Sequence, residues 1–232
     1  VFSAGSTGAT LISAITILGK QKGVIRPAIA SVLPTINGSV ILLDSGASLD
    51  VKPKVLYQFA VMGSKLAEVL LDIDAPRVGL LNNGEEESKG RDLEKSAYKL
   101  LSSSNLNFIG NVEGRDFANE KVDVFVTDGF TGNVVLKTLE GTARLQQKLI
   151  SDSLNRNLLK PLLPIVKNAF KPVKDKLNPD KTNASYLLGV DGLVTIGHGS
   201  SKQEAIKNGI KYTSSSIQKD FIGKFSETLK EL

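Results

Sequence analysis

A short apolar run, a small polar turn holding glycine, and an amphipathic helix recur in that order along this chain. No other feature limits the fold as strongly. The clearest copy is residues 122–141, VDVFVTDGFTGNVVLKTLEG. Residues 122–127 are apolar and β-branched with one acid, which suits a buried strand. Asp128, Gly129, Phe130, Thr131, Gly132 and Asn133 then break the run with two glycines and small polar side chains. Residues 134–147 predict a helix, with Val134, Val135, Leu136, Leu139, Ala143 and Leu145 giving a broad apolar face. Backbone N–H groups of such a turn, with the positive end of the helix behind them, make a seat for phosphate or another oxyanion. Lys137, about one turn into the helix, can reach back to the same anion. An ordinary turn capped by Asp128 accounts for the same residues.

The theme repeats. Residues 1–8, VFSAGSTG, lead into a predicted helix over 9–18, and Gly5, Ser6, Thr7 and Gly8 form a second candidate cradle. The alternative is a helix cap by Ser6 or Thr7. A strand over 39–43 ends at Asp44-Ser45-Gly46-Ala47-Ser48. Asp44 stands at a strand's C-terminal end, where open α/β sheets place ligands. A helix follows over 54–71. A strand over 77–81 leads to a polar turn with three adjacent acids, Glu85, Glu86 and Glu87. Adjacent residues on a helix start point in different directions, so these acids read as partners of a helix dipole rather than as a metal site. A helix over 93–101 and a strand over 106–109 precede a turn that packs Gly110, Asn111, Glu113, Gly114, Arg115 and Asp116. A strand over 193–196 ends at Gly197-His198-Gly199-Ser200-Ser201, and helices are expected over 202–209, ending at Gly209, and over 212–232. His198, between glycines at a strand end, is a poor core residue and reads as a site residue. This alternation predicts a three-layer α/β/α sandwich, a single domain over 1–232 with a mostly parallel sheet. Its polar turns would gather near one sheet edge.

Composition removes several chemistries. The chain has no cysteine, which excludes disulfides, thiolate metal sites and an acyl-enzyme thioester. It has one histidine, so sites needing two are excluded as well. No metal and no cofactor are expected. The net charge of +5, with four Tyr, nine Phe and no Trp, gives no reason to expect a nucleic-acid partner. No run reaches the roughly 18 apolar residues of a membrane span, and the first residues lack the basic start of a signal peptide. A cytoplasmic protein is expected. The chain opens at Val1-Phe2 with no initiator Met, as a fragment would.

Residues 151–186 differ from the rest. From Asp152 to Lys181 they carry seven Lys or Arg against three Asp, interleaved with leucines and other apolar residues and broken by prolines. This predicts a basic amphipathic excursion, a broken helical hairpin. It suits an anionic membrane surface, an acidic partner, or a subunit interface with its lysines in water.

Taken in order, SAGSTGA, RPA, LLDSGAS, GEEESKG, FIGNVEGRD, DGFTGNVVLKTLEG and GHGSS resemble the PlsX-type phosphate acyltransferases over nearly the whole chain. The resemblance implies acyl transfer from acyl carrier protein to inorganic phosphate, giving acyl phosphate for phospholipid synthesis. It also implies a Rossmann-like fold related to phosphotransacetylases and isopropylmalate dehydrogenases, a homodimer, and peripheral membrane association through the segment between Leu158 and Leu177. Family members begin earlier, with a strand and an Asp- and Gly-rich loop. They often carry Asn where Ser6 and Ser48 stand here.

On this basis Gly5, Ser6, Thr7, Gly8, Gly129, Thr131, Gly132 and Asn133 are expected to hold phosphate. Lys137, Arg115 or His198 would neutralise charge, Asn111 or Asn133 would serve the oxyanion, and Asp44, Glu113, Asp128 and Ser200 would complete the site. Transfer between phosphate and acetyl- or acyl-CoA, and a non-catalytic membrane-attached scaffold, are the alternatives. A nicotinamide-dependent dehydrogenase would need a G-x-G-x-x-G turn between strand and helix, which is absent.

Overall fold

The computed structural model describes residues 1–154, 163–176, 184–199, 201–219 and 221–229. Eight strands form one sheet: β1 (Phe2–Ser3), β2 (Ala28–Pro34), β3 (Ser39–Leu43), β4 (Val78–Leu81), β5 (Phe108–Val112), β6 (Val124–Val126), β7 (Ser185–Leu188) and β8 (Val194–Ile196). Their spatial order is β1-β8-β7-β2-β3-β6-β4-β5. The ladders β1·β8, β3·β6, β6·β4 and β4·β5 are parallel, while β8·β7, β7·β2 and β2·β3 are antiparallel. The sheet is mixed and mostly parallel. The helices are α1 (Thr7–Ile17), α2 (Pro53–Leu71), α3 (Asp92–Ser102), α4 (Gly129–Leu154), α5 (Leu163–Lys176), α6 (Gln203–Gln218) and α7 (Phe221–Leu229).

Both sheet faces are covered, which is why the strands read as continuous apolar runs. Side chains alternate across a strand. Ile41 and Leu43 of β3, with Val124 and Val126 of β6, join a core with α2, α3 and α7. Val40, Leu42 and Phe125 face the other way, with Val135 and Leu136 of α4 packed against them. Phe117 stacks on Phe125 there, ring centroids 3.8 Å apart. Ala14 and its α1 neighbours Leu11 and Ile15 cover Ile29, Val194 and Ile196 on the same side.

Four expectations need correction. Two strands were not foreseen: β2 and β7, both antiparallel to their neighbours. A tight turn joins β2 to β3, with the Thr35 N–H donating to Gly38 O at 3.0 Å. β7 takes Ser185 and Tyr186 into the sheet, so the basic excursion stops short of them. Helix α4 starts at Gly129, so the glycine-rich stretch is the helix's own first turn rather than a loop before it. Helix α6 runs unbroken through Gly209, because a Cβ there would stand 2.2 Å from the Phe2 ring. That glycine makes room for an aromatic side chain and does not stop the helix. The Glu85–Glu87 acids lie in the loop before α3, whose first turn holds Asp92 and Glu94 instead.

The excursion is described in part. α4 continues to its end at Leu154 and α5 contains Pro172. Leu158 and Leu177 fall outside the described residues.

Gly209→Ala sets two effects against each other. Alanine gains about 1 kcal/mol of helix propensity, while crowding a packed site costs about 1–3 kcal/mol. The clash is with a ring held in the sheet, so the variant should unfold at a lower urea midpoint. A raised midpoint would contradict the packing of Phe2 against α6.

Candidate active site

A cavity of about 350 Å³ lies over the sheet face that α1 and α4 cover. Three antiparallel ladders separate β8 from β3, so β1 and β8 run opposite to β3, and the turns that wall the cavity leave opposite ends of the sheet instead of gathering at one edge as expected. Gly5, Ser6 and Thr7 come after β1, Ser45 and Gly46 after β3, and Gly197, His198 and Gly199 after β8. Asn133, Leu136, Lys137 and Glu140 reach it from the first turns of α4. Ile29 and Ser31 of β2 and Ser185 of β7 complete the floor.

Three charged or titratable groups meet on one side. The Lys137 ammonium donates to Glu140 Oε2 at 2.9 Å and lies 3.1 Å from His198 Nε2. His198 Nε2 is 3.3 Å from Glu140 Oε1. An ammonium only donates. Neutral imidazole with a free Nε2 therefore accepts from Lys137, and imidazolium donates Nε2–H to Glu140. The trio accommodates a proton on His198, or its absence, with one arrangement of heavy atoms. Across the cavity α1 begins at Thr7, and its first-turn N–H groups have no acceptor within the helix. Ser6, the residue before it, makes no side-chain capping bond. Lys137 and this helix end both favour a bound anion.

Of the residues singled out in the sequence, the structure brings Gly5, Ser6, Thr7, Asn133, Lys137 and His198 together. Gly8 lies in the first turn of α1, outside the lining. Ser200 lies outside the described residues.

The first turn of α4 does not offer the expected cradle. Its Gly129 N–H donates to Ser48 O at 2.8 Å, Thr131 N–H to Asp128 Oδ1 at 2.8 Å, and Gly132 N–H to Asp128 O at 2.9 Å. The two glycines serve close packing: a Cβ on Gly132 would stand 1.9 Å from Asp44 O, and one on Gly129 2.7 Å from Asp44 Oδ2. Asp44 is itself fully buried. Its carboxylate accepts N–H bonds from Ile29, Gly46, Ala47 and Ser48 at 2.7–3.1 Å. It anchors the wall of the cavity and does not line it.

Asn111, Glu113, Arg115 and Asp128 form a second group, on the far side of β6 and around β4 and β5. Asp128, its side chain 2% exposed, holds the Arg91 guanidinium at 2.5 Å and the Thr131 hydroxyl at 3.0 Å. Arg91 also pairs with Glu94. Burial raises the Asp128 pKa, but the Thr131 amide and the Arg91 guanidinium outweigh it and hold the carboxyl below the usual carboxylate range. Asn111 Nδ2 donates to Glu86 O at 2.8 Å, pinning the loop before α3. Arg115 pairs with Glu113. These residues build the neighbouring sheet edge and do not meet Lys137. Among the described residues no cluster suits a metal ion.

Glu140 escaped the reading of the sequence. The available signal was its place three residues after Lys137 on a helix, which puts both side chains on one face. Ser31 and Ser185 lay in strands the sequence did not reveal.

The mixed, mostly parallel sheet with helices on both faces is a phosphotransacetylase-like fold. Solved structures share this fold. A EutD phosphotransacetylase from Staphylococcus aureus aligns with TM-score 0.57 and 14% identity, over 100% of this chain and 62% of its own. A phosphotransacetylase from Streptococcus pyogenes aligns with TM-score 0.58 and 18% identity, over 93% and 62%. The sequence is more specific: residues 1–224 match the family model described as "Fatty acid synthesis protein". Curated relatives named phosphate acyltransferase include those of Thermoanaerobacterium thermosaccharolyticum, 46% identical over 95% of this chain and 66% of the relative, and Geotalea uraniireducens, 43% identical over 100% and 67%. The chain belongs to this phosphate acyltransferase family, and it spans about two thirds of the length of these relatives.

Asp128 also gives a test. With its folded pKa depressed, its stabilisation is complete above the unfolded value of about 3.9 and is lost as pH falls through the lower folded value. Asp128→Asn should cost about 1–3 kcal/mol at neutral pH by leaving Arg91 and Thr131 poorly paired. The stability gap between the two proteins should stay level down to about pH 4 and then shrink. A gap unchanged at lower pH would remove the charge of Asp128 from this account.

Proposed function

We propose that the cavity binds inorganic phosphate and that the protein transfers a fatty acyl group to it from acyl carrier protein, giving acyl phosphate and free carrier protein. The observation that carries this reading is the meeting of Lys137, Glu140 and His198 with the N-terminus of α1 around one cavity, in a chain of this family.

The chemistry needs no covalent enzyme intermediate, which suits a chain without cysteine. A hydrogenphosphate oxygen attacks the thioester carbonyl carbon, the C–S bond breaks, and the phosphate proton ends on the departing sulfur. Lys137 and the α1 N-terminus offset the phosphate charge while the two reactants are held together. Asn133 donates to the carbonyl oxyanion. His198, between Lys137 and Glu140, gives a proton to the departing sulfur as the C–S bond breaks and recovers one from the P–OH of the acyl phosphate formed. Glu140 positions both partners.

The same reading includes a homodimer and peripheral attachment to an anionic membrane. Support for the first is the apolar stripe that α4 leaves exposed, with Phe130 at 60% and Leu145 and Leu149 each at 57%. For the second, α5 exposes Phe170 and Val173 in a lysine-rich segment. No described helix is long and apolar enough to cross a membrane.

Lys137→Met keeps the length of the side chain and removes its charge. Acyl phosphate formation from palmitoyl-acyl carrier protein should fall by about 100-fold or more, in line with the loss of a preorganised charge partner, while thermal stability is retained. Unchanged turnover in the folded variant would remove Lys137 from the mechanism.

A further inference from the structure

The floor of the cavity holds three serines, of which only Ser45, in the turn after β3, stood in a sequence motif. Ser31 Oγ lies 2.8 Å from Ser45 Oγ and 3.0 Å from Ser185 Oγ. Ser31 and Ser45 are buried, at 4% and 5% exposure, and all three line the cavity. One arrangement of their protons makes all three contacts and also uses the nearby carbonyl. Ser45 Oγ is 3.0 Å from Ile29 O, which can only accept, so in that contact the Ser45 hydroxyl donates. Ser31 then donates to Ser45, and Ser185 to Ser31. In this arrangement every hydroxyl proton runs away from the cavity towards Ile29 O, and the floor presents lone pairs to a ligand.

The remaining polar walls do the opposite. The Lys137 ammonium only donates, and the first-turn amides of α1 donate. The Ser6 and Thr7 hydroxyls and the Asn133 amide have protons to give. A ligand that satisfies both surfaces is a tetrahedral anion that carries acceptors on most corners and one hydrogen. Hydrogenphosphate is such an anion. Sulfate has the same shape and charge but no hydrogen at neutral pH.

Resting on the phosphate reading above, we propose that Ser31 and Ser185, oriented by Ser45, select hydrogenphosphate against acceptor-only oxyanions by accepting its P–OH. Sulfate would set an oxygen lone pair against a lone pair on the floor. The three serines are thus specificity residues for the anion. They also fix which phosphate oxygens remain free of a proton, facing the donors and able to attack. A reversed hydroxyl chain would abolish the selection. Ile29 O would keep the Ser45 N–H bond at 2.8 Å after losing the hydroxyl, so the reversal is a definite competing state.

The test is calorimetric titration of the whole chain with inorganic phosphate and with sulfate, separately, at mildly alkaline pH and constant ionic strength. A site that hydrogen-bonds a ligand hydroxyl rejects the analogue lacking it by up to about 10⁵-fold. For an open cavity we expect phosphate to bind at least about 100-fold more tightly than sulfate, since fewer groups are left unpaired there. Ser185→Ala and Ser31→Ala should each narrow that ratio by about 10-fold through weaker phosphate binding, with sulfate affinity unchanged. Ser185→Thr, which keeps the hydroxyl, should preserve it. Ser185 begins a strand and is only half-buried, so its variants test the idea even if Ser31→Ala does not fold. Equal binding of the two anions, or a ratio untouched by both alanine variants, would overturn the serine selection and leave the phosphate reading in place. Failure of both anions to bind the folded protein would overturn both.

Discussion

The buried carboxylate of Asp44 is the interaction on which the cavity depends. It collects amides from Ile29 on β2 and from Gly46, Ala47 and Ser48 in its own loop. Burial pushes its pKa up, and the four amides oppose that rise by stabilising the charged form. The loop so folded becomes the surface on which α4 begins. Gly129 and Gly132 let the helix approach it closely, and the Gly129 N–H closes the junction onto Ser48 O at 2.8 Å. The same loop sets Ser45 beneath the cavity, with its hydroxyl on Ile29 O. One acid therefore fixes the start of α4, and with it the reach of Asn133, Lys137 and Glu140.

The turns at the strand ends carry two polar clusters with different duties. Around β4, β5 and β6, Arg91, Glu94, Asp128 and Asn111 are mutually paired or tied to backbone, and they hold loops in place. Around β1, β3 and β8, charge is matched more loosely. Lys137, His198 and Glu140 share contacts of 2.9–3.3 Å among partly exposed side chains, opposite a helix N-terminus. A network held by short ion pairs and backbone bonds resists rearrangement, even with Arg91 largely exposed and Asn111 Oδ1 buried without a partner. One with room beside it can take up a ligand's charge and a proton.

Much of this was legible in the sequence, and the exceptions have physical causes. β3 and α2 stand nearly where their apolar patterns put them, because both are buried along their length and their composition reflects it. The recurrence of strand, polar turn and helix pointed to polar turns but placed them all at one sheet edge. It could not see that β1 and β8 run opposite to β3, nor that the turns form two clusters, because strand order and direction are set by long-range pairing that no local pattern records. Glycine was the main source of error. Gly129, Gly132 and Gly209 look like turn or stop signals, yet each sits inside a helix where another backbone or ring comes close. The same ambiguity made the start of α4 look like an anion cradle, when its amides belong to Asp128 and Ser48. Lys137 and His198 were found as residues of unusual placement. Glu140 was not, since a glutamate on a helix is unremarked until its neighbours are known.

The chain's single histidine makes the central claim directly measurable. His198 supplies the only imidazole signal in a heteronuclear NMR spectrum of the protein. Titration with inorganic phosphate should shift that signal saturably, and Lys137→Met should suppress the shift while the protein stays folded. An imidazole signal that does not move with phosphate, in protein that transfers acyl groups, would place the phosphate elsewhere and contradict the site described here.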